Sequence, residues 1–257
     1  MSNERHIGER ALLAHGWISQ RVENLLDAGC DDGNNTFLFS QKARRTRGID
    51  INCKVVERAK ITFPAISFLC CPVEITPFND GFFDVIIMND ALEHVRDETT
   101  ALNEIYRILK EGGQLIISTP HKGMFAFLDP ANYKFIIKNK FLLRLMYGKN
   151  RAEKMLSPGN SRDDFHRHYT LGQLNSVLGK SAFRGHYKIE RIFRSGLLLG
   201  ILAVNLNVVL RRIIGHRASM LALIPLTKLA ALEFWIPFGS LAYNIAISIR
   251  KTPKNPL

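Results

Sequence analysis

The sequence contains few cysteines, and none of them lies in a metal-ligand pattern. Cys30, Cys53, Cys70 and Cys71 sit in apolar surroundings without the spacing of a zinc site, so we expect no bound metal. We interpret all four as reduced thiols, which indicates a cytoplasmic location. The first twenty residues lack the apolar central run of a secretory signal peptide, and we expect no such peptide there.

The sequence also lacks an apolar run long enough to cross a membrane. Ser195 to Leu210 is sixteen residues without a charge, whereas a bilayer-spanning helix needs about 20 apolar residues. A later apolar stretch, 221–249, is interrupted by Lys228, Glu233 and two prolines. We therefore expect no transmembrane helix, and a membrane role limited to peripheral contact with the inner face.

Acidic residues are scarce in the second half of the chain. Residues 1–120 hold 13 Lys and Arg and 17 Asp and Glu, whereas residues 121–257 hold 22 and 6. The overall composition, with 46% apolar and 23% charged residues among 257, is that of a globular protein and excludes disorder and coiled coils. A basic half predicts an anionic partner, which the charge alone leaves open among membrane, nucleic acid and phosphorylated substrate.

Strand and helix patterns alternate through the first half. The run Phe83 to Met88 is almost continuously apolar, as in a strand buried on both faces of a parallel sheet. The alternation predicts an α/β fold with a doubly wound, mostly parallel sheet. Predicted strands cover 22–27, 46–50, 66–71, 83–88 and 114–118. Predicted helices cover 10–17, 36–43, 54–61 and 102–109, and we expect Gly112 and Gly113 to end the last of these.

The second half has weaker patterns. A helix is predicted at 171–178 and strands at 187–193 and 243–249, with a helical, apolar insertion before the last strand. The resulting division is an α/β core at 1–130, a basic acceptor-side or lid segment at 131–186, and the last two strands at 187–257. The apolar insertion occupies about 195–240.

The strongest chemical signal follows the first strand. Asp27 ends that strand, and Gly29 and Gly33 flank a tight turn before the next helix. Three glycines spaced as in a dinucleotide-binding loop are absent, and an acidic residue here favours a ligand with a cationic amino group over a pyrophosphate. Asp50 ends the second strand, 23 residues after Asp27, where a carboxylate can accept hydrogen bonds from a ribose diol. Capping of the next helix is the alternative role for Asp50.

Six motifs in order resemble the class I S-adenosylmethionine-dependent methyltransferases of the ubiquinone- and menaquinone-biosynthesis type. The resemblance covers roughly residues 20–120 and implies a Rossmann-like methyltransferase fold with S-adenosylmethionine as cofactor. The motifs are Asp27-Ala28-Gly29-Cys30 with Gly33, Gly48-Ile49-Asp50, Thr76-Pro77-Phe78, Phe83-Asp84-Val85-Ile86, Leu92-Glu93-His94-Val95 and Leu109-Lys110-Glu111-Gly112-Gly113.

The resemblance implies a role for each cofactor-binding position. Asp27 and Gly29 would line the methionine end, Asp50 would hold the ribose hydroxyls, and Asn89 would lie beside the cofactor. The full implied set is Asp27, Ala28, Gly29, Cys30, Gly33, Asp50, Ile51, Pro72, Val73 and Asn89. The sequence departs from the family at two positions, with Asp31 where glycine is usual and Pro72 where aspartate is frequent.

Methyl transfer requires a positioned acceptor and, for some acceptors, a base that removes a proton. Histidines near strand ends are candidates, and among them we select His94 and His166; a surface or capping role is the alternative for each. The resemblance implies an oxygen acceptor on a lipid-linked, glycan-pathway or other amphiphilic small molecule.

The basic, apolar half leaves several interpretations open. Lys134, Lys138 and Lys140 fall on one arc of a helical wheel opposite apolar residues, which favours an anionic membrane surface. A lid over the active site or a dimer interface are the alternatives. A non-catalytic, cofactor-binding scaffold competes with the enzyme. An RNA methyltransferase is the weaker hypothesis, because exposed stacking aromatics and recognition motifs are missing and we do not expect nucleic-acid binding.

Overall fold

The computed structural model describes residues 7–129, 132, 144, 148, 153 and 167–253. Within these ranges seven strands form one sheet, in the order β3-β2-β1-β4-β5-β7-β6. Their bounds are β1 Val22–Ala28, β2 Ala43–Asp50, β3 Ser67–Cys70, β4 Phe83–Asn89, β5 Leu109–Pro120, β6 Tyr187–Ser195 and β7 Asn244–Lys251.

Five neighbouring strands pair in parallel, from β3 to β5. The central strands are apolar and buried because helices cover both faces of a parallel sheet. Ile86, Ile87 and Met88 of β4, for example, have no exposed surface. The predicted doubly wound, mostly parallel sheet is confirmed, as is the apolar helical insertion before the last strand.

Seven α-helices lie in the described ranges. Their bounds are α1 Glu9–Trp17, α2 Asn34–Ser40, α3 Cys53–Thr62, α4 Glu98–Ile108, α5 Leu171–Lys180, α6 Leu199–Ile213 and α7 His216–Phe234. Two predicted helix ends were wrong: α2 ends at Ser40, with Ala43 already in β2, and α4 ends at Ile108, with Gly112 and Gly113 inside β5. Leu109 is already extended and pairs with Phe83 in the sheet, so the chain leaves the helix before the glycines.

The chain divides into two compact units. The first comprises residues 1–119, 171–192 and 246–257, and the second comprises 120–170 and 193–245. The first unit packs α1 and α2 against β1 and β4 through an apolar cluster that includes Ala14, Leu25 and Phe39. In the second unit α6 and α7 form an antiparallel helical hairpin between β6 and β7. Of the predicted basic segment 131–186, residues 132, 144, 148, 153 and 167–186 are described, and the rest, with Lys134, Lys138 and Lys140, lies outside the described residues.

The expectation of four free thiols was wrong for two of them. Cys53, the first residue of α3, and Cys70, the last residue of β3, form a disulfide with their Cα atoms 5.0 Å apart. The sheet brings them together because Cys70 pairs with Asp50, three residues before Cys53. Cys30 and Cys71 are free. A separation of 17 residues carried no signal of this pairing in the sequence.

Reduction of the Cys53–Cys70 bond should destabilise the first unit. A disulfide that closes a loop of this size contributes about 3 kcal/mol, chiefly by restricting the unfolded chain. Urea denaturation with and without dithiothreitol should show this decrease in the wild type and in Cys71→Ser, but not in Cys53→Ser. Equal stability in both conditions, with four thiols alkylated before reduction, would contradict the pairing.

Candidate functional site

The turn after β1 brings a backbone loop close to the end of β4. Gly29 has a φ of +90°, and a Cβ atom built on it would lie 2.6 Å from the Cβ of Ala91. The N–H groups of Gly29 and Cys30 both donate to the carbonyl of Ile49, at 2.8 and 2.9 Å. Only glycine fits this approach, so the turn after β1 passes directly against the loop after β4.

The next residue of the turn explains one departure from the family pattern. Asp31 has a φ of +44°, in the left-handed region where glycine is favoured and aspartate is tolerated at a cost of about 1–2 kcal/mol. Its N–H donates to Oδ2 of Asp50 at 3.1 Å. The backbone at position 31 therefore keeps a left-handed conformation although it carries a side chain.

The Asp50 carboxylate joins two strand-end loops. Its Oδ2 accepts from the N–H of Asp31, and its Oδ1 accepts from the N–H of Asn52 at 2.8 Å. Asn52 caps α3 in its place, by accepting from the N–H of Lys54 at 3.2 Å. The carboxylate is partly exposed and held in one orientation, with lone pairs left to accept from a diol.

Asp27 is the buried acid of the site. It is 1% exposed, and its Oδ2 accepts from the hydroxyl of Thr36 at 2.6 Å. Burial raises the pKa of Asp27 to about 7; the Thr36 hydrogen bond opposes this shift, and the negative charge of Asp50 adds to it. A cationic amino group would stabilise the ionised carboxylate and relieve this cost.

The end of β4 contributes polar groups beside the turn. Asn89 pairs with Ser118 of β5, and its Oδ1 accepts from the Ser118 hydroxyl at 2.6 Å. Asp90 follows in a left-handed conformation with a φ of +53° and forms an ion pair with Arg10 of α1. Because parallel strands end at one edge, Asn89 belongs to the same edge as Asp27 and Asp50.

The remaining positions implied for the cofactor differ in exposure. Ile51 is 75% exposed directly after β2, which offers an apolar surface at the edge where Asp50 lies. Pro72 and Val73 are half-buried after β3, and the preceding residue, Cys71, donates its N–H to the carbonyl of Asp50 at 3.1 Å. Three further positions of the turn are buried, namely Ala28, Cys30 and Gly33.

The Thr76-Pro77-Phe78 motif has a structural role. Glu104 of α4 accepts from the Thr76 N–H and hydroxyl, at 2.8 and 2.6 Å, and pairs with Arg107. Arg107 also pairs with Asp80 and donates to the carbonyl of Phe78. These partners raise the pKa of Arg107, and they hold the pKa of Glu104 below its usual range against the effect of burial. The motif thus fixes the loop before β4 to helix α4.

The role of both histidines selected as bases stays a prediction, and only His94 lies among the described residues. His94 is exposed and ends a short 3₁₀ turn, Leu92–His94, after β4. Glu93, beside it, is buried and accepts from the Thr119 hydroxyl at 2.9 Å. His166 lies outside the described residues, so its role as a base stays a prediction.

The second unit contains a histidine–carboxylate pair that sequence reasoning missed. Nε2 of His168 lies 2.8 Å from Oδ2 of Asp129, and both side chains are buried. His121 is also buried, with Nδ1 2.8 Å from the carbonyl of Ala242, and burial lowers its pKa. Since 39 residues separate Asp129 from His168, no local spacing could reveal the pair.

Residues 26–117, which include this strand-end site, match the family of methyltransferase domains. The match and the fold are those of a class I S-adenosylmethionine-dependent methyltransferase domain. The cofactor of the domain is S-adenosylmethionine. The matched segment contains Asp27, Gly29, Asp50 and Asn89.

Curated relatives share this segment. The chain is 29% identical over 114 residues to a probable S-adenosylmethionine-dependent methyltransferase of Mycolicibacterium smegmatis, covering 44% of this chain and 43% of that protein. It is 30% identical over 128 residues to a malonyl-[acyl-carrier protein] O-methyltransferase of Serratia marcescens, covering 50% and 49%. The chain thus spans about half the length of the curated relatives it matches.

Solved structures show the same fold over most of the chain. The YcgJ protein of Bacillus subtilis aligns with a TM-score of 0.56 at 18% identity, covering 95% of this chain and 99% of that one. A geranyl diphosphate C-methyltransferase of Streptomyces coelicolor, in complex with S-adenosyl-L-homocysteine, aligns with a TM-score of 0.57 at 13% identity, covering 95% and 75%.

Asp27→Asn should stabilise the protein without cofactor at alkaline pH. The raised pKa means that the folded state holds the Asp27 proton up to about pH 7, so stability falls as pH rises from about 4 through 7. At pH 8 the variant should be more stable by up to about 4 kcal/mol, because one pKa unit corresponds to about 1.4 kcal/mol.

Urea denaturation of wild type and variant at pH 5 and pH 8 measures this effect. Glu57→Gln, at an exposed carboxylate, is the control and should show no such pH-dependent difference. Equal free energies of unfolding for wild type and Asp27→Asn at both pH values would show that the pKa of Asp27 is not raised by burial.

Proposed function

We propose that this methyltransferase domain is active and transfers a methyl group to an oxygen of an amphiphilic small molecule. The observation that carries methyl transfer is the strand-end cluster of Asp27, Gly29 and Asp50. A buried carboxylate, a tight glycine turn and an oriented carboxylate match the amino group, the methionine portion and the ribose of S-adenosylmethionine. The chemistry of these residues fits S-adenosylmethionine, and this fit requires no metal ion.

The cofactor-binding residues act by positioning. S-adenosylmethionine supplies an electrophilic methyl group on a sulfonium sulfur when bound. Asp27 would bind the amino group and Asp50 the ribose hydroxyls, which fixes the ligand at two ends, while Ile51 would cover the base. Alignment of the acceptor oxygen with the methyl carbon and sulfur then lowers the barrier, because orientation alone is worth several kcal/mol in such displacements.

The acceptor class is supported by the second unit and by one set of relatives. Apolar side chains are exposed along α6 and α7 beside Arg211 and Arg217, a surface that suits a molecule with an apolar body and an anionic group. Relatives named as malonyl-[acyl-carrier protein] O-methyltransferases methylate an oxygen of a carrier-linked acid. A neutral hydroxyl would need a base to accept its proton, for which His94 and His166 remain the candidates; a carboxylate would need none.

Label transfer tests this proposal. The full chain, incubated with [methyl-³H]S-adenosylmethionine and a detergent-dispersed total lipid extract of the cells that carry the gene, should label the organic phase. Asp50→Asn should decrease the rate at least tenfold, since a hydrogen bond to a charged group contributes about 1.5–3 kcal/mol. Mild alkaline hydrolysis distinguishes a methyl ester, which releases label, from an ether or carbon-linked methyl group.

Two results would contradict the proposal. Label recovered only in added total RNA would replace the amphiphilic acceptor with nucleic acid. Cofactor binding without transfer to lipid, carrier-linked acids or RNA would favour the non-catalytic scaffold.

A further inference from the structure

The helical hairpin of the second unit has a buried face and an exposed face, and both are apolar. Helix α6 packs on α7, and the Ser219 hydroxyl of α7 donates to Oδ1 of Asn207 of α6 at 3.1 Å. On α7 the buried residues Ser219, Leu223 and Phe234 are four and eleven residues apart, which places them on one side of the helix. A surface helix of this kind normally presents polar residues on its other side.

The exposed side of α7 instead carries large apolar residues. Leu221 and Leu232 are each 68% exposed, and at the end of α6 Ile213 is 71% exposed. Large apolar side chains exposed close together normally mark a surface that contacts a partner or lipid. Other exposed apolar residues of the hairpin and of the two residues after it include Met220, Ile224, Leu229, Trp235 and Ile236.

Positive charge accompanies this apolar surface, and negative charge does not. Residues 193–245 contain five Lys and Arg and one acid, Glu233. The Glu233 carboxylate accepts from the N–H groups of Leu198 and Leu199, at 3.2 and 2.9 Å, and so caps the start of α6. Arg217 and Lys228 are exposed on α7.

We propose that the outer face of the α6–α7 hairpin lies on an anionic lipid bilayer, with its apolar side chains inserted among the acyl chains and its cations at the headgroups. The cores of protein interfaces are depleted of lysine and other charges, whereas a helix with Lys and Arg among exposed Leu and Ile is typical of an interfacial membrane helix. Trp235, 48% exposed at the end of α7, has the amphipathic ring that prefers the membrane interface.

The hairpin lies on the membrane and does not cross it. Among the described residues no helix is long and apolar enough to span a bilayer. Pro225 interrupts the hydrogen bonding of α7 at its middle, which a helix bound at the surface tolerates because water can satisfy the freed carbonyl. The membrane contact itself does not depend on the proposed function. Only the idea that the protein meets an amphiphilic acceptor at this membrane surface rests on it.

Flotation of the full chain with vesicles tests the proposal. Vesicles of phosphatidylcholine mixed with phosphatidylglycerol should carry the protein upward, and vesicles of phosphatidylcholine alone should carry much less. Leu221→Glu with Leu232→Glu should abolish flotation, because carboxylates would enter the acyl region beside anionic lipid. Arg217→Gln and Lys228→Gln should each weaken binding about fivefold, since each basic residue contributes about 1 kcal/mol at an anionic surface.

A matched control separates this surface from general exposure. Ile61→Glu changes an apolar residue of α3, 82% exposed in the first unit, and should leave flotation unchanged. Thermal midpoint and S-adenosylhomocysteine titration verify that each variant is folded. Flotation needs neither cofactor nor acceptor, so a protein that floats but transfers no methyl group would refute the proposed function alone.

Three outcomes would overturn the membrane proposal. Equal flotation of wild type and Leu221→Glu/Leu232→Glu would place the binding surface elsewhere. Equal binding to neutral and anionic vesicles would remove the role of the cations. Absence of flotation, with a dimer in sedimentation equilibrium that the same double variant dissociates, would assign the surface to a second copy of the chain.

Discussion

The Asp50 carboxylate receives two backbone N–H groups, from Asp31 and Asn52, and the geometry of the cofactor site depends on this contact. One N–H comes from the turn after β1 and the other from the start of α3. The carboxylate therefore sets the distance between the two loops that would enclose a nucleoside. The disulfide between Cys53 and Cys70 encloses the same region from the β3 side.

The site combines one acid that is oriented with one that is buried. Asp50 is partly exposed and fixed by hydrogen bonds, whereas Asp27 is fully buried, with its pKa raised to about 7. Burial of Asp27 costs free energy in the protein alone and is relieved by a cationic ligand. Asp27 therefore lowers the folding stability of the protein alone but would strengthen the binding of a cationic cofactor. Such destabilising groups are common at functional sites.

Much of the first half could be predicted from the sequence, because its signals are local. Apolar runs such as Phe83 to Met88 identify buried strands, and parallel strands bring their carboxyl ends to one edge, which placed Asp27 near Asp50. Gly112 and Gly113 predict the end of α4 at the wrong place, because pairing of Leu109 with Phe83 decides where the helix ends.

Contacts between residues distant in the sequence were not predicted, because local patterns do not report them. The two residues are 17 positions apart in the Cys53–Cys70 disulfide and 39 apart in the His168–Asp129 pair. The fold brings each pair together, and no spacing rule in the sequence predicts either contact. The apolar insertion was predictable as a composition, but its outward-facing Leu221 and Leu232 required the packing of α6 on α7. Sequence therefore located the chemistry of the first unit better than the surfaces of the second.

Calorimetric titration with S-adenosylmethionine, comparing the wild type with Asp50→Asn, tests the central claim most directly. Asp32→Asn, in the same turn but bonded to Asn34, is the matched control. We expect micromolar binding by wild type and control, about −8 kcal/mol, and at least tenfold weaker binding by Asp50→Asn. A folded wild type that binds no cofactor, or an Asp50→Asn variant that binds as tightly as wild type, would show that the strand-end cluster is not the cofactor site.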